Sequence, residues 1–204
     1  MQPIKNILFD LGGIFMNLDF NLTEKAFIDL GILSFPEMFT QQHANDLFEE
    51  LETGKISPEM FYDAFRKESN SQLTNDQIKT AWNAMLLDFP IERLEWLQEI
   101  GKKYKVFLYS NTNQIHYEAF LNIVRTTTGI ENFNSFFIKA YYSHEFGIRK
   151  PYVASFQKIL EEQKLVAGET LFIDDVFKNI EGARKAGLRT IHLVTPMTVL
   201  DLPL

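Results

Sequence analysis

Short apolar runs recur along this chain, one near its start and four in its second half, and each has the composition of a buried strand. They span residues 6–10, 106–110, 137–142, 171–175 and 190–194. Strands of a parallel sheet are covered on both faces, so they form nearly continuous apolar segments. From the second run onward, helical patterns alternate with the runs, which predicts a parallel sheet with right-handed crossovers.

The stretch from about residue 20 to residue 99 has a different pattern, because its apolar residues recur with helical spacing and no convincing strand interrupts them. Helix starts are indicated at five places: Asn21 or Thr23, Ala44, Ser57-Pro58, Thr74 and Pro90. The sequence therefore predicts an α/β core that is interrupted after its first strand by an all-helical insert.

Residues suited to phosphate chemistry stand at, or a few positions after, the ends of four of the runs. They are Asp10, Ser110, Lys150 and the pair Asp174-Asp175. Ligands of open α/β sheets bind outside the carboxyl ends of the strands. With the strands side by side, these residues would surround one crevice, where they could hold a divalent cation, bind a phosphoryl group and attack it.

The pair Asp174-Asp175 gives the strongest of these signals. Two adjacent carboxylates at the end of a buried strand repel each other and lose hydration unless a cation or hydrogen-bond donors compensate. A hard oxygen site for Mg²⁺ is the natural compensation, and capping of the following helix by the two residues is the alternative. Asn179 could orient one of the acids, and Phe177 could line the pocket.

The other three positions each admit a structural interpretation as well. Asp10 stands before Gly12-Gly13 and could tighten a turn, although the glycines would also let an anion approach the backbone. The polar residues 110–113 could cap a helix or cradle a phosphate. Lys150 could be solvated. Four such patterns in this order, each near a strand end, indicate phosphate chemistry more strongly than any one of them.

Composition narrows the class of protein. A formal charge of −7 and a pI near 5.2 argue against a nucleic-acid or anionic-membrane surface. The chain has no cysteine, which excludes disulfides, thiolate metal sites and a thiol nucleophile. Its apolar runs fall short of a membrane span, and residues 1–5 enter a strand at once without room for a signal peptide. We expect a soluble cytoplasmic protein, monomeric or homodimeric, without a nucleic-acid or membrane partner.

The motifs resemble those of the haloacid dehalogenase superfamily. The matching segments are residues 9–13, Ser110-Asn111, Lys150-Pro151 and Asp174-Asp175. Over the whole chain, the sequence is most similar to the family's Asp-Leu-Gly subgroup of phosphatases, which includes α-D-glucose-1-phosphate phosphatase. The resemblance implies an α/β fold: a Rossmann-like three-layer core with a parallel sheet, residues 1–16 and 97–204, carrying an inserted all-helical cap of type one, residues 17–96.

The resemblance implies a magnesium site. Asp10 would be a metal ligand, and the backbone carbonyl of Gly12 would be a second one. Asp175, with Asp174 beside it, would complete the protein ligands for Mg²⁺.

The resemblance also implies the reaction. Asp10 would be the nucleophile, Ser110 and Asn111 would bind the transferring phosphoryl group, and Lys150 would pair with that group and with Asp10. The activity implied is that of a Mg²⁺-dependent phosphatase of small phosphorylated metabolites, such as a sugar phosphate, acting through an aspartyl-phosphate intermediate.

One position departs from the family pattern. Most phosphatases of the family carry a second Asp two residues after the nucleophile, where it protonates the leaving group and later activates water; here that residue is Gly12. Loss of a general acid–base typically costs about 10²–10⁴-fold in rate. His116 is the nearest candidate by sequence to supply the proton.

Two alternative functions follow from the same residues. Gly12 favours a degenerate member that binds a phosphorylated ligand with little turnover. A 2-haloacid dehalogenase would use Asp10 on carbon without a metal, but that branch needs an aromatic residue at position 12 and an Arg in the cap, where the first Arg here is Arg66.

The cap would select the substrate. The segments 39–43 and 54–55 are candidates for contact with it, whereas Glu49-Glu50 is most simply a solvated helix face.

Overall fold

The computed structural model describes residues 3–40 and 43–204. The strands are β1 (Asn6–Phe9), β2 (Phe39–Thr40), β3 (His43–Ala44), β4 (Lys105–Ser110), β5 (Lys139–Tyr142), β6 (Thr170–Asp174) and β7 (Arg189–His192). Five of them form a sheet of order β5-β4-β1-β6-β7 in which every neighbouring pair is parallel. The predicted parallel α/β fold is therefore confirmed.

Ten α-helices lie within the described residues. They are α1 (Phe20–Asp29), α2 (Phe35–Met38), α3 (Asp46–Glu52), α4 (Pro58–Glu68), α5 (Asn75–Asn83), α6 (Ile91–Ile100), α7 (Gln114–Thr128), α8 (Ser143–Phe146), α9 (Val153–Glu162) and α10 (Phe177–Lys185). In the described part of the chain, no helix combines the length and the apolar composition that a bilayer crossing requires.

Helices cover both faces of the sheet. Successive strand residues point to opposite sides, so each face of these apolar strands carries side chains that must be buried. Ile7 and Phe9 pack on one face in a cluster that includes residues of α6 and α7. Leu8, Phe107 and Phe172 pack on the other face with residues of α9 and α10. Each such fully buried side chain stabilises the fold by roughly 1.5–3 kcal/mol, so the three layers hold the strand ends firmly in place.

The segment between β1 and β4 has a hydrophobic cluster of its own, built largely from aromatic rings. Phe27, Phe35, Phe48 and Trp82 belong to it and are almost completely buried. The rings of Phe27 and Phe35 stack with their centroids 4.3 Å apart. Helices α1 to α5 thus surround a core separate from the clusters on the sheet.

Most helix starts of this segment lie where the capping residues predict them. The N-cap positions of α4, α5 and α6 are Ser57, Thr74 and Pro90. The start of α1 differs from the prediction, because Asp19 caps it by accepting from the N–H of Asn21. Thr23 is buried instead, where its hydroxyl donates to the carbonyl of Trp82 at 3.1 Å.

The expectation that this segment contains no strand is wrong at one place. Strands β2 and β3 pair antiparallel, with Phe39 opposite Ala44. Aromatic and β-branched residues such as Phe39 and Thr40 favour strands, but a two-residue ladder is too short to show alternation. Gln41 and Gln42, within the segment proposed to contact substrate, lie outside the described residues.

The two connections between this segment and the sheet run side by side. The N–H of Asn17 donates to the carbonyl of Asp88 at 2.9 Å, and the N–H of Leu87 donates to the carbonyl of Asn17 at 3.1 Å. A further bond joins the N–H of Asp19 to the carbonyl of Met85 at 3.0 Å. This antiparallel crossing lies just after β1, so the helical segment stands over the carboxyl end of the sheet.

Candidate active site

A cleft of about 350 Å³ lies between the carboxyl ends of the strands and the helical segment. Sites for small molecules range over roughly 300–1,000 Å³, so this one suits a compact ligand. The predicted site residues on its wall are Asp10, Gly12, Ser110, Asn111, Lys150 and Asp175. The structure therefore brings together residues that are up to 165 positions apart in the sequence.

Lys150 is the buried centre of the site, with 1% of its surface exposed. Its Nζ lies 2.6 Å from Oδ1 of Asp10 and 2.7 Å from Oδ2 of Asp174. The rings of Tyr109 and Phe172 lie 5.6 and 5.5 Å from the same atom. Burial alone would lower the pKa of Lys150, but the two carboxylates outweigh it and raise that pKa above its usual range. The ammonium is therefore charged at neutral pH.

The backbone of Lys150 is held by the side-chain amide of Asn111. The Nδ2 of Asn111 donates to the carbonyl of Lys150 at 3.0 Å, and the N–H of Lys150 donates to Oδ1 of Asn111 at 2.8 Å. One N–H and one oxygen lone pair of the amide are thus used to hold Lys150. Asn111 also lines the cleft, and its contact with a phosphoryl group stays a prediction.

Asp174 is completely buried and all of its hydrogen-bonding capacity faces the protein. Its Oδ1 accepts from the N–H of Val176 at 2.7 Å and from Nδ2 of Asn179 at 3.1 Å. Its Oδ2 accepts from Lys150 at 2.7 Å and from Asn179 at 3.0 Å. The prediction that Asn179 orients one of the acids is confirmed, and that acid is the one paired with Lys150.

Three carboxylates meet at one point of the cleft. Asp10, Asp174 and Asp175 each place one oxygen within 4.8 Å of the others, an arrangement that could hold a metal ion. Burial raises the pKa of Asp10, with Lys150 opposing the rise and Asp174 and Asp175 adding to it. Burial and the charge of Asp174 likewise raise the pKa of Asp175. Three carboxylates against one ammonium leave an excess of negative charge, which a hard divalent cation would neutralise.

The two glycines that follow Asp10 and Leu11 have different structural roles. Gly13 has a φ of +70°, and a Cβ there would lie 2.6 Å from Oδ2 of Asp175, so only glycine lets this carboxylate approach the turn. The φ of Gly12 lies outside the left-handed region, and a Cβ there would meet only the side chain of Leu18, with Cδ1 at 2.5 Å. The side chain of Leu18 thus takes up the space beside position 12.

His116 lines the cleft, but both of its ring nitrogens have partners. Its Nε2 lies 3.1 Å from the carbonyl of Trp82, and its Nδ1 lies 3.3 Å from Nδ2 of Asn113. The imidazole also stacks on the indole of Trp82 at 4.5 Å. Burial lowers the pKa of His116 to about 4, against the effect of the Trp82 carbonyl. A neutral ring with both nitrogens in use is not placed to supply the missing proton.

The prediction that Phe177 lines the pocket is wrong. Half of its surface is exposed, and its ring lies 5.5 Å from that of His192. The next residue, Lys178, lines the cleft in its place. The first turn of α10 therefore presents a charged side chain to the site and leaves the aromatic one outside.

The helical segment contributes a polar wall that the sequence did not reveal. The Oε1 of Glu49 accepts from the hydroxyl of Tyr152 at 3.0 Å, and its Oε2 lies 3.5 Å from Arg149. The Oε2 of Glu52 lies 3.1 Å from Nε of Arg149. Burial raises the pKa of Glu52, an effect that Arg149 opposes. The prediction of a simple solvated face is therefore wrong for Glu49, which is partly buried and paired, whereas Glu50 is exposed as expected.

The chain matches a known protein family over most of its length. The family model described as haloacid dehalogenase-like hydrolase matches residues 7–193. The chain belongs to this family. The haloacid dehalogenase resemblance expected from the motifs is thereby confirmed, and with it the expected fold class.

Individual relatives of this haloacid dehalogenase-like chain match it over almost its full length. D-ribitol-5-phosphate phosphatase of Bacteroides thetaiotaomicron is 30% identical over 189 residues, which cover 93% of this chain and 91% of the relative. A haloacid dehalogenase family enzyme from the same organism, an aspartate-to-alanine variant in complex with magnesium and inorganic phosphate, superposes with a TM-score of 0.89. It is 31% identical, with 95% of this chain and 96% of that chain covered. A predicted hydrolase of the family from Porphyromonas gingivalis is 29% identical, with a TM-score of 0.85 and coverage of 96% and 94%.

Proposed function

We propose that this protein is a Mg²⁺-dependent phosphatase of small phosphorylated metabolites, with a sugar or sugar-alcohol phosphate as substrate. The observation that carries the proposal is the pairing of the Asp10 carboxylate with the buried ammonium of Lys150 beside two further carboxylates. The name of the ribitol-phosphate relative and the magnesium and phosphate bound by the solved relative support the same activity. Residues 1–16 and 97–204 would form the catalytic core, and residues 17–96 the cap.

The donor set suits Mg²⁺, which prefers carboxylate and carbonyl oxygens. We assign Asp10, Asp175 and the backbone carbonyl of Gly12 as its protein ligands. Asp175 is favoured over Asp174 because it lines the cleft, whereas both oxygens of Asp174 already accept hydrogen bonds within the protein. Bound there, the cation would neutralise charge on the phosphoryl oxygens.

Asp10, Lys150 and Ser110 have separate roles in the proposed reaction. An oxygen of Asp10 would attack phosphorus, forming an acyl-phosphate bond while the bond from phosphorus to the ester oxygen breaks. Lys150 would stabilise the charge on the transferring group, and the buried hydroxyl of Ser110 would donate to one of its oxygens. Water then attacks the phosphorus of the intermediate, which releases inorganic phosphate and restores the carboxylate of Asp10.

The departing alcohol takes its proton from water in this proposal. Position 12 has no carboxylate, Leu18 fills the space beside it, and both nitrogens of His116 are engaged. The reaction is therefore expected to depend strongly on the leaving group, because an alkoxide leaves poorly without an acid.

A screen of phosphorylated metabolites with Mg²⁺, with and without chelator, tests the proposed function. Phosphate release from at least one sugar or sugar-alcohol phosphate, abolished by chelator and absent from Asp10→Asn, is the expected result. Tight binding of a phosphate ester without release would favour the degenerate binding protein, for which Gly12 is the supporting feature. Nucleic acids and membranes are not expected partners of this acidic chain.

A further inference from the structure

The wall of the cleft that α3 contributes carries an excess of negative charge. Glu49 and Glu52 come from α3 of the helical segment, and the only base they contact among the described residues is Arg149. Lys178 also lines the cleft, but it belongs to α10, three residues after Asp175. A substrate whose alcohol part carried a carboxylate would therefore meet two carboxylates and one guanidinium.

Glu49, Glu52 and Arg149 form an ion-pair network on this wall. The Oε2 of Glu52 and the Nε of Arg149 lie 3.1 Å apart, and both atoms are buried. All three residues line the cleft, and the side chains of Glu49 and Arg149 are 33% and 19% exposed. A hydroxyl group can donate to a carboxylate and accept from a guanidinium, so it is the complement of such a pair.

The helical segment also gives the cleft an apolar surface. The rings of Phe20 and Phe39 both line the cleft and stack with an interplanar angle of 29° and centroids 6.4 Å apart. Met85 and Leu86 line it as well. Ligand sites combine such surfaces with a few polar groups that fix orientation. A polyol would present C–H groups to the apolar surface and hydroxyls to the carboxylates.

We propose that Glu49, Glu52 and Arg149 form a subsite that binds the hydroxyl groups of an uncharged polyol, the alcohol part of the substrate. The subsite rests on the proposed function, since it names the substrate class of the same cleft. Arg149 directly precedes Lys150 in the chain, and Tyr152 follows Lys150 by two residues, so the guanidinium of the subsite and the tyrosine that holds Glu49 share one loop with a group that would bind the phosphoryl moiety. The two Glu carboxylates disfavour esters whose alcohol part is anionic.

The test measures binding, so that it does not depend on turnover. Isothermal titration of the Asp10→Asn protein with Mg²⁺ compares D-ribitol 5-phosphate, inorganic phosphate and 2-phosphoglycolate. Glu49→Gln and Glu52→Gln in this background should each weaken D-ribitol 5-phosphate relative to inorganic phosphate by roughly 10- to 100-fold, the value of one hydrogen bond to a charged group. Glu50→Gln, an exposed neighbour on α3, should change neither affinity.

The anionic ester gives an independent outcome. Glu49→Lys should improve the affinity for 2-phosphoglycolate relative to D-ribitol 5-phosphate, because it replaces a repulsive charge by an attractive one. The subsite would be overturned if Glu49→Gln and Glu52→Gln left the ratio of the affinities for D-ribitol 5-phosphate and inorganic phosphate unchanged. An equal loss of affinity for both ligands would be such a result, and it would mean that the residues only stabilise the structure of the cleft. Absence of turnover in the wild-type protein would instead count against the proposed phosphatase activity.

Discussion

The ammonium of Lys150 joins two carboxylates that come from neighbouring strands, lying 2.6 Å from Asp10 and 2.7 Å from Asp174. The ammonium thereby fixes the orientation of the Asp10 carboxylate, and the buried carboxylate of Asp174 in turn holds the ammonium in place. The Lys150 ammonium, which would stabilise a transferring phosphoryl group, therefore also stabilises the folded core.

Removal of Lys150 should therefore affect both stability and activity. Lys150→Met leaves Asp10 and Asp174 without their cation in a buried site, so the free energy of unfolding should fall by about 3–5 kcal/mol. Urea denaturation measures the change. Lys67→Met, at an exposed position of α4, should change stability by no more than about 0.5 kcal/mol. A loss no larger in Lys150→Met than in this control would contradict the role of the ion pair in the fold.

The adjacent residues Asp174 and Asp175 should have different roles, one in stability and one in metal binding. Asp175→Ala should raise the Mg²⁺ concentration needed for half-maximal phosphate release by at least about tenfold, because it removes a ligand that faces the cleft. Asp174→Asn should instead lower the free energy of unfolding by about 3 kcal/mol, because Lys150 loses a buried partner. Metal titration and urea denaturation of both variants decide the assignment. The reverse pattern would make Asp174 the principal ligand.

His116 predicts a pH dependence of stability. Burial lowers its folded-state pKa to about 4 from an ordinary value of 6.5, so between these values the unfolded chain binds a proton that the folded protein does not. Its contribution to stability is present above pH 6.5 and is lost as the pH falls through 4, by roughly 3 kcal/mol in total.

Urea denaturation of the wild type and of His116→Gln across pH 4 to 7 measures this contribution as the difference between their slopes. The variant should lose less stability on acidification. Parallel curves for the two proteins would show that His116 does not titrate in this window.

Sequence patterns were sufficient for the parts of the structure that depend on local composition. Buried strands were recognisable as apolar runs, and the residues at their ends, such as Asp10 and Ser110, meet because parallel strands share one edge. Ser57 and Thr74 correctly predicted the starts of α4 and α5, because an N-cap side chain bonds to the backbone of the first helical turn and its effect is therefore local. Single-turn helices such as α2 and α8 are too short to show periodicity.

The remaining parts depend on tertiary packing and leave no local signal. The amide of Asn111 bonds to the backbone of Lys150, 39 residues away, and its position after β4 gave no indication of that contact. Glu49 meets Arg149 only because α3 stands over the loop before α9. In the sequence, Glu49 cannot be distinguished from its exposed neighbour Glu50.

Position 12 offers a test of the missing acid. Its backbone has no left-handed conformation, so the double variant Gly12→Asp with Leu18→Ala should fold, because the second change frees the space that a side chain needs. Hydrolysis of alkyl phosphates should then speed up more than hydrolysis of aryl phosphates, by at most about 10²–10⁴-fold. The matched change at the next position, Gly13→Asp, should instead destabilise the protein, because its side chain would collide with Asp175.

Steady-state rates for a series of esters with different leaving groups measure the effect. An equal change for alkyl and aryl esters in the double variant would mean that proton supply does not limit the reaction.

The central claim, that Asp10 carries the phosphoryl group, is tested most directly by trapping the intermediate. The protein is mixed with Mg²⁺ and a phosphate ester that it hydrolyses, quenched in acid within the first turnovers, digested and analysed by mass spectrometry. We expect one phosphoryl group on the peptide that contains Asp10, lost on treatment with hydroxylamine and absent from Asp10→Asn, which should be folded by circular dichroism and at least about 10⁴-fold slower. Full turnover by Asp10→Asn, or a phosphoryl group on another residue, would contradict it.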